Sequence, residues 1–365
     1  MPLATEIADV RVDLLRVPLD TPYFAAGKKI TAYWHVLARI RTTDGVEGFG
    51  YVVLLNDSLM RPLADATREL GQLLVGMDVF EPEKAWAKLD RAAEWIGPGG
   101  MVSYAIAPLD IAMWDAMGKV AGQPLHRLLG GYRDRVPTYA SDGLWYSLSL
   151  DELAQSARRH RDAGFSALKL RIGNERTAAG EVGRVKAVRE AVGDDMLIMV
   201  DATETWDVNT ALDRGRALQD AGIHWLEDPI NHRNLAGLRR MTGLLEVPIA
   251  TGEHLYTLAE YEQLISARGA GIIIIDLARI GGITPWRHVA SLAQAHDVRV
   301  CGHVIPEVHV HLVAAIPNGH LAEYVPRSER ILQAMPTIEN GRIVAPSGPG
   351  LGLALDEEAI RRFAA

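Results

Sequence analysis

Seven successive apolar runs in the second part of the chain each lead into ionisable residues. The run at 167–172 carries Lys169 and Arg171; those at 197–201, 225–227 and 248–251 lead to Asp201, Glu227 and Glu253. The next two, 271–276 and 299–303, end in Asp276 and His303, and the run at 321–324 contains Glu323. One such residue has an ordinary explanation as a helix cap or the start of a loop. Seven in sequence are hard to reconcile with independent accidents. If the runs are adjacent parallel strands, Asp201, Glu227 and Glu253 end up about 5 Å apart. Carboxylates that close repel and raise one another's pKa. A divalent cation removes the repulsion, and all-carboxylate ligation with room for water and substrate suits one Mg²⁺ per subunit, whereas zinc would want histidine or thiolate.

The flanks of this acid trio differ in chemistry. Lys169 and Arg171 are two residues apart on one strand and share a face. Asp276 and His303 come from two strands on the opposite side, and a carboxylate beside an imidazole fixes its tautomer and raises its pKa. A substrate carboxylate on the metal would hold its α-carbon between cations and imidazole. Deprotonation there gives an enediolate, whose charge the metal and Lys169 would stabilise.

Such a convergence needs strands whose ends meet. With a first run at 137–141, eight candidate strands recur about every 25 residues, the cadence of a (β/α) barrel, whose chemistry sits at the C-terminal strand ends. Segments 204–222, 258–269 and 284–297 read as connecting helices. A doubly wound sheet would want a glycine-rich phosphate fingerprint after its first strand, and none follows either of the first two runs. Before the barrel, alternation at 7–17 and 35–41, with a third strand from 48, reads as strands, and 57–74, 81–95 and 101–120 read as helices. The tail, 338–363, reads as turns and short strands that pack back on the N-terminal unit. The resulting division is a capping unit at 1–130, a barrel at 131–325 and a C-terminal segment at 326–365.

Composition excludes several classes. The 365 residues include 38 Lys and Arg against 46 Asp and Glu, a net charge of −8, which disfavours nucleic acid and anionic membrane surfaces. The single cysteine, Cys301, rules out an intrachain disulfide and Cys-based metal clusters. The N-terminus lacks the apolar core of a signal peptide, and no apolar window is long enough to span a membrane. A cytoplasmic location is the expectation.

The motifs resemble the enolase superfamily and, within it, the mandelate racemase group. Ala105-x-x-x-Leu109-Asp110-x-Ala112-x-Trp114-Asp115-x-x-Gly118-Lys119 is similar to that family's N-terminal signature helix. Ala167-Leu168-Lys169-Leu170-Arg171-Ile172-Gly173 resembles its K-x-K strand with one change. Val200-Asp201, Trp225-Leu226-Glu227-Asp228-Pro229 and Thr251-Gly252-Glu253 are similar to its three metal-ligand motifs. Asp276 before Ile280-Gly281-Gly282, then Gly302-His303, resembles its Asp–His dyad, and Glu323 falls where the group has an eighth-strand acid. The resemblance implies a modified TIM barrel, (β/α)7β, with an α+β capping domain completed by the C-terminal tail. It also implies specificity loops in the cap, near 21–32 and 51–57, and a homo-oligomer, often an octamer in this group.

Against that resemblance, the second lysine is replaced by Arg171, a poor general base because arginine stays protonated. His303, oriented by Asp276, is then the one credible base. One base suffices for dehydration, so the expected reaction is loss of water from a sugar acid, an aldonate or aldarate, giving a 2-keto-3-deoxy acid. Lys169 would stabilise the enediolate, Arg171 contact a substrate carboxylate or hydroxyl, and Glu323 hydrogen-bond the carboxylate oxygen. Thr203 stands where the family often has Asn and is expected at the substrate. Lys28 and Lys29 suit a polar acid or are solvated surface; Ser141 binds a carboxylate or makes a turn; His254 lines the pocket or packs a loop. The alternatives are a racemase, epimerase or cycloisomerase working through the same enediolate, and a silent barrel used for binding. His309-Val310-His311 and Cys301 are not expected to do chemistry, His320 is expected to be structural, and Trp34, Trp145 and Trp206 are expected to pack the core or cap.

Overall fold

Alternation of apolar and polar residues from residue 7 onward builds a long antiparallel hairpin. Strand β1 (Ile7–Ala25) pairs with β2 (Lys28–Thr42), which pairs with β3 (Glu47–Leu54). This computed structural model describes residues 5–25, 28–55 and 57–365. The expected loop at 21–32 is, in its described part, the ends of β1 and β2. The expected loop at 51–57 is for the most part β3, where Tyr51 and Val52 are buried; residues 26, 27 and 56 of these two expectations lie outside the described residues.

Helices α1 (Met60–Gln72), α2 (Pro82–Ala92), α3 (Met101–Val120) and the single turn α4 (Leu125–Leu128) complete the cap. Helix α3 packs against β3 so closely that a Cβ on Gly50 would come within 2.4 Å of the Pro108 carbonyl oxygen, so that contact requires glycine.

Two acids buried on α3 join the cap to the rest. Asp115 accepts from the Phe49 amide (2.9 Å) on β3, from the Leu351 amide (2.8 Å) in the tail and from Lys119 Nζ (2.7 Å). Asp110 accepts from the amide and the hydroxyl of Thr284 (2.9 and 2.6 Å), whose oxygen also accepts from Trp114 Nε1 (2.8 Å).

The barrel strands are β4 (Arg135–Ala140), β5 (Ala167–Arg171), β6 (Leu197–Asp201), β7 (Leu226–Glu227), β8 (Ile249–Thr251), β9 (Ile272–Asp276), β10 (Arg299–His303) and β11 (Gly319–Tyr324). Each pairs in parallel with the next, and β11 pairs with β4 to close the cylinder. Outside lie α5 (Leu150–Asp162), α6 (Ala178–Val192), α7 (Val208–Asp220), α8 (Leu235–Leu244), α9 (Leu258–Ser266), α10 (Leu277–Ile280), α11 (Ile283–Ala295) and α12 (Pro306–Ala315). Helices α5 and α9 begin with capping boxes, Ser149 with Glu152 and Thr257 with Glu260. Among the described residues, no helix is long and apolar enough to cross a membrane.

The tail holds β12 (Ile338–Glu339), β13 (Arg342–Val344) and one element not expected from sequence, helix α13 (Glu357–Phe363). Strand β13 pairs with the start of β4, and α13 lies against β1, where the Ala365 amide donates to the Leu14 carbonyl (2.9 Å).

Inside the cylinder, Tyr139, Ala167, Met199, Trp225, Ala250, Ile272, Ile274, Cys301 and Leu321 form an apolar plug of their own. Burial raises the Cys301 thiol to about 12. We therefore expect native protein to resist a thiol reagent such as DTNB at pH 8 and unfolded protein to release one thiol per chain; rapid labelling of the native form would contradict the packing.

Thr284→Val removes the hydroxyl that accepts from Trp114 Nε1 and donates to Asp110. We expect it to cost about 2–4 kcal/mol, seen as a fall of several degrees in Tm. An unchanged Tm would remove the Asp110 clamp from the account of how cap and barrel are joined.

Candidate active site

Side chains two residues apart on a strand share a face, and in this barrel that rule converts the plug into a reactive layer. Advancing the plug residues by two gives, from Tyr139, Ala167, Met199, Trp225, Ile274, Cys301 and Leu321 in turn, Ser141, Lys169, Asp201, Glu227, Asp276, His303 and Glu323. Strand register sets the neighbours: Arg171 is opposite Asp201, Asp201 opposite Glu227, and Asp276 opposite His303. Position 252, two beyond Ala250, is glycine with φ of +127°, where a Cβ would come within 2.8 Å of the Ile274 carbonyl oxygen. Glu253 therefore enters from just beyond β8.

Lys169 is fully buried above the Tyr139 ring (5.4 Å) and sits among acids. It contacts Glu227 Oε1, lies 3.0 Å from Glu323 Oε1 and 3.9 Å from Asp201 Oδ2. Burial works against its charge, but Glu227 and Glu323 outweigh it and its pKa is raised. Arg171 Nη1 pairs with Asp201 Oδ2 at 2.9 Å and reaches the Ser141 hydroxyl at 3.4 Å. Burial likewise opposes its charge and is outweighed by Asp201, so its pKa is also raised.

On the other flank, His303 Nδ1 lies 2.6 Å from Asp276 Oδ2, while Asp276 Oδ1 accepts the Arg279 amide at 2.7 Å. The Asp276 carboxylate accepts the Nδ1–H, so Nε2 is the nitrogen that gains or loses the second proton. Nε2 is 3.3 Å from Glu253 Oε2, a buried oxygen that accepts no hydrogen bond. Burial opposes an imidazolium, but Glu253 and Asp276 raise the His303 pKa.

The acids are crowded. Burial, with Asp201 and Glu253, pushes Glu227 up to about 8, and burial, with Glu253 and Asp201, pushes Asp228 well up. Asp228, Glu253 and His254 offer ligand atoms within 4.8 Å of one another. An oxygen-rich donor set with surplus negative charge and an unsatisfied carboxylate oxygen fits a hard divalent cation. Of the expected acid trio, Asp201 and Glu227 face Lys169 and Arg171, so the tightest grouping on the metal side includes Asp228 and His254 as well as Glu253.

Arg171, Glu253, Asp276 and His303 open onto a cavity of about 990 Å³ between barrel mouth and cap, and Lys169, Asp201, Glu227 and Glu323 are buried behind them. Of the other expected contacts, Lys28, Thr203 and His254 line it. Lys29 does not; it follows Lys28 along the strand and is exposed. Ser141 is buried and faces Arg171 rather than the cavity. Both His254 nitrogens have partners: Nδ1 accepts from Arg279 Nη1 (2.9 Å), and Nε2 is 3.4 Å from Asp228 Oδ2. Glu323 is placed as an acceptor, held between Lys169 and the Val304 amide (2.8 Å), with its pKa well lowered: burial would raise it, and Lys169 overrides burial.

The histidines at 309 and 311 are buried in α12; His309 bonds the Val304 carbonyl (2.7 Å) and His311 the Leu351 carbonyl (3.0 Å). Trp145 departs from the expected core or cap packing: it lines the cavity, with Arg171 5.6 Å from its ring. Sequence reading missed Arg279, Tyr104 and Arg327, which line the same cavity. Arg279 carried a signal, since it falls where the Asp276 side chain caps the first turn of α10. Arg327 carried none, lying in a loop beyond β11.

Residues 7–130 match the mandelate racemase / muconate lactonizing enzyme N-terminal domain, and residues 152–359 the enolase C-terminal domain-like family. L-talarate/galactarate dehydratase of Salmonella typhimurium is 34% identical over 96% of this chain and 89% of that protein. The 3,6-anhydro-alpha-L-galactonate cycloisomerase of Streptomyces coelicolor is 33% identical over 98% of this chain and 99% of its own length. The crystal structure of L-talarate dehydratase from Polaromonas sp. JS666, complexed with Mg and L-glucarate, superposes with a TM-score of 0.92 at 32% identity, covering 99% of this chain and 97% of that one. The chain belongs to the mandelate racemase and muconate lactonizing enzyme group of the enolase superfamily.

Proposed function

We propose that the protein is a Mg²⁺-dependent hydro-lyase that removes water from a sugar acid to give a 2-keto-3-deoxy acid. One observation carries the reading: among the described residues no hydrogen-bond donor sits on His303 Nε2, whose neighbour at 3.3 Å is the acceptor Glu253 Oε2. Asp276 holds the other nitrogen, both His254 nitrogens are engaged, and Arg171 is locked as a cation on Asp201. A reaction needing one base is supported over one needing a base on each face of the α-carbon.

Asp201, Glu227 and Glu253 would hold the Mg²⁺, with Asp228 and His254 next to them; when bound, the ion draws electron density from a substrate carboxylate and so acidifies the adjacent C–H. His303 Nε2 then takes the α-proton, and Asp276 stabilises the imidazolium that forms. Lys169 donates to the developing enediolate oxygen. The electron pair moves to form the C2–C3 double bond, the C3–O bond breaks, and the imidazolium returns its proton to the leaving hydroxyl, so water departs. The enol ketonises by taking a proton at C3.

The talarate/galactarate dehydratase relative supports this class. The cycloisomerase relative favours, as a second reading, a lactone-opening or lactone-closing isomerisation through the same proton abstraction.

The test is a panel of aldonates and aldarates with Mg²⁺, read by mass spectrometry and semicarbazide trapping. We expect at least one acid to lose the mass of water and give a keto acid, with activity abolished by EDTA and restored by Mg²⁺. His303→Asn should lower kcat by about 10²–10⁴-fold with the fold intact. Products of unchanged mass would give the reaction to the isomerase reading; an inert panel would sink the hydro-lyase.

A further inference from the structure

Two cations in the cavity wall are neither used by the chemistry above nor held by a side-chain hydrogen bond or ion pair among the described residues. Among the cavity-lining cations, Arg171 is paired with Asp201 at 2.9 Å, and Arg279 donates to the Glu253 carbonyl (2.7 Å) and to His254 (2.9 Å). Arg327 and Lys28 line the same cavity, and among the described residues neither has a carboxylate within 4.0 Å. Arg327 Nε is buried and has no hydrogen-bond partner, and its guanidinium lies 5.9 Å from the centre of the Tyr33 ring. Asp142 and Arg327 act with opposite sign on the Tyr33 phenol but do not form an ion pair. A buried N–H donor left unmade costs free energy that a ligand would recover. The flat fork of Nε and Nη atoms matches a carboxylate.

The loop that carries Arg327 is held. Its amide donates to the Val325 carbonyl (2.9 Å), and the next residue, Ser328, is buried with its hydroxyl 3.3 Å from His35 Nε2 on β2. Arg327 is also set apart from the reacting end. From Arg171 the wall runs through Trp145 (5.6 Å), Tyr23 stacked on it (4.8 Å), and Tyr33, whose hydroxyl is 3.4 Å from that of Tyr23, before reaching Arg327. Three rings separate the two guanidinium groups, so they do not serve one carboxylate.

We propose that Arg327, with Lys28 beside the same cavity, binds a second carboxylate at the far end of the substrate, so that the protein prefers diacids (aldarates) to the corresponding monoacids (aldonates). This rests on the sugar-acid reading and narrows it. Arg327 here is a specificity residue: it touches substrate but none of the reacting atoms.

The experiment compares galactarate with galactonate, and glucarate with gluconate, by kcat/KM with Mg²⁺ and by calorimetric binding, in wild type and in Arg327→Met and Arg327→Lys. In wild type the diacid of the preferred pair should be favoured in both readouts. Arg327→Met should reduce that preference at least about 30-fold, mainly through KM, and Arg327→Lys should restore part of it. Tm of each variant checks that the fold is retained. A wild type that favours the monoacid, or a preference unchanged in Arg327→Met, overturns the proposal. If no acid of the wider panel is dehydrated, the hydro-lyase reading fails on its own, and binding still decides: tighter diacid binding lost in Arg327→Met supports the second carboxylate site, and equal binding rejects it.

Discussion

The two-residue repeat of the barrel strands is the constraint on which the site depends. It stacks a layer of charged groups directly on an apolar plug, with Trp225 below Glu227, Cys301 below His303 and Ala167 below Lys169. The plug keeps water from the underside of the charges, so burial acts on every one of them, and charge pairing decides which stays ionised. Glu323 stays ionised because Lys169 is 3.0 Å away; Glu227, facing Asp201 and Glu253 as well as Lys169, is driven up instead. A one-residue slip in any of these strands would send its charged residue to the helical layer outside.

The cap is tied to this barrel by polar contacts as well as by apolar packing. Asp110 grips Thr284 at the start of α11, Tyr51 on β3 bonds Glu307 on α12, and His35 on β2 bonds Ser328 beyond β11. These contacts fix the cap strands over the barrel mouth. The cavity is therefore walled on one side by barrel strand ends and on the other by cap residues such as Lys28, Ile30 and Leu54. In the proposed reading, reaction and recognition draw on different parts of the chain.

Much of this was legible in the sequence because strand ends announce themselves: a short apolar run with a charge at its end needs no partner to be recognised. That holds for Lys169, Asp201, Glu227, Asp276 and His303. Glu253 was found despite the intervening Gly252. The cap was harder to read. The segments expected as loops at 21–32 and 51–57 are in their described parts mostly strand, since polar residues such as Thr21 and Thr31 alternate in a hairpin exposed on one side. Helix α12 is buried all round and so lacks an amphipathic stripe. Trp145 and Arg327 sit in loops whose positions follow from tertiary contacts with Tyr23 and Tyr33 and leave no pattern in sequence.

The central claim is that one imidazole, His303, moves the proton in a dehydration. It is tested most directly by running the reaction with an accepted acid sugar and Mg²⁺ in D₂O and following it by ¹H NMR. The account predicts a keto acid carrying a single deuterium at C3 in one configuration, with remaining substrate uninverted at C2. Recovered acid that carries deuterium at C2 with inverted configuration, and no keto acid, would contradict it.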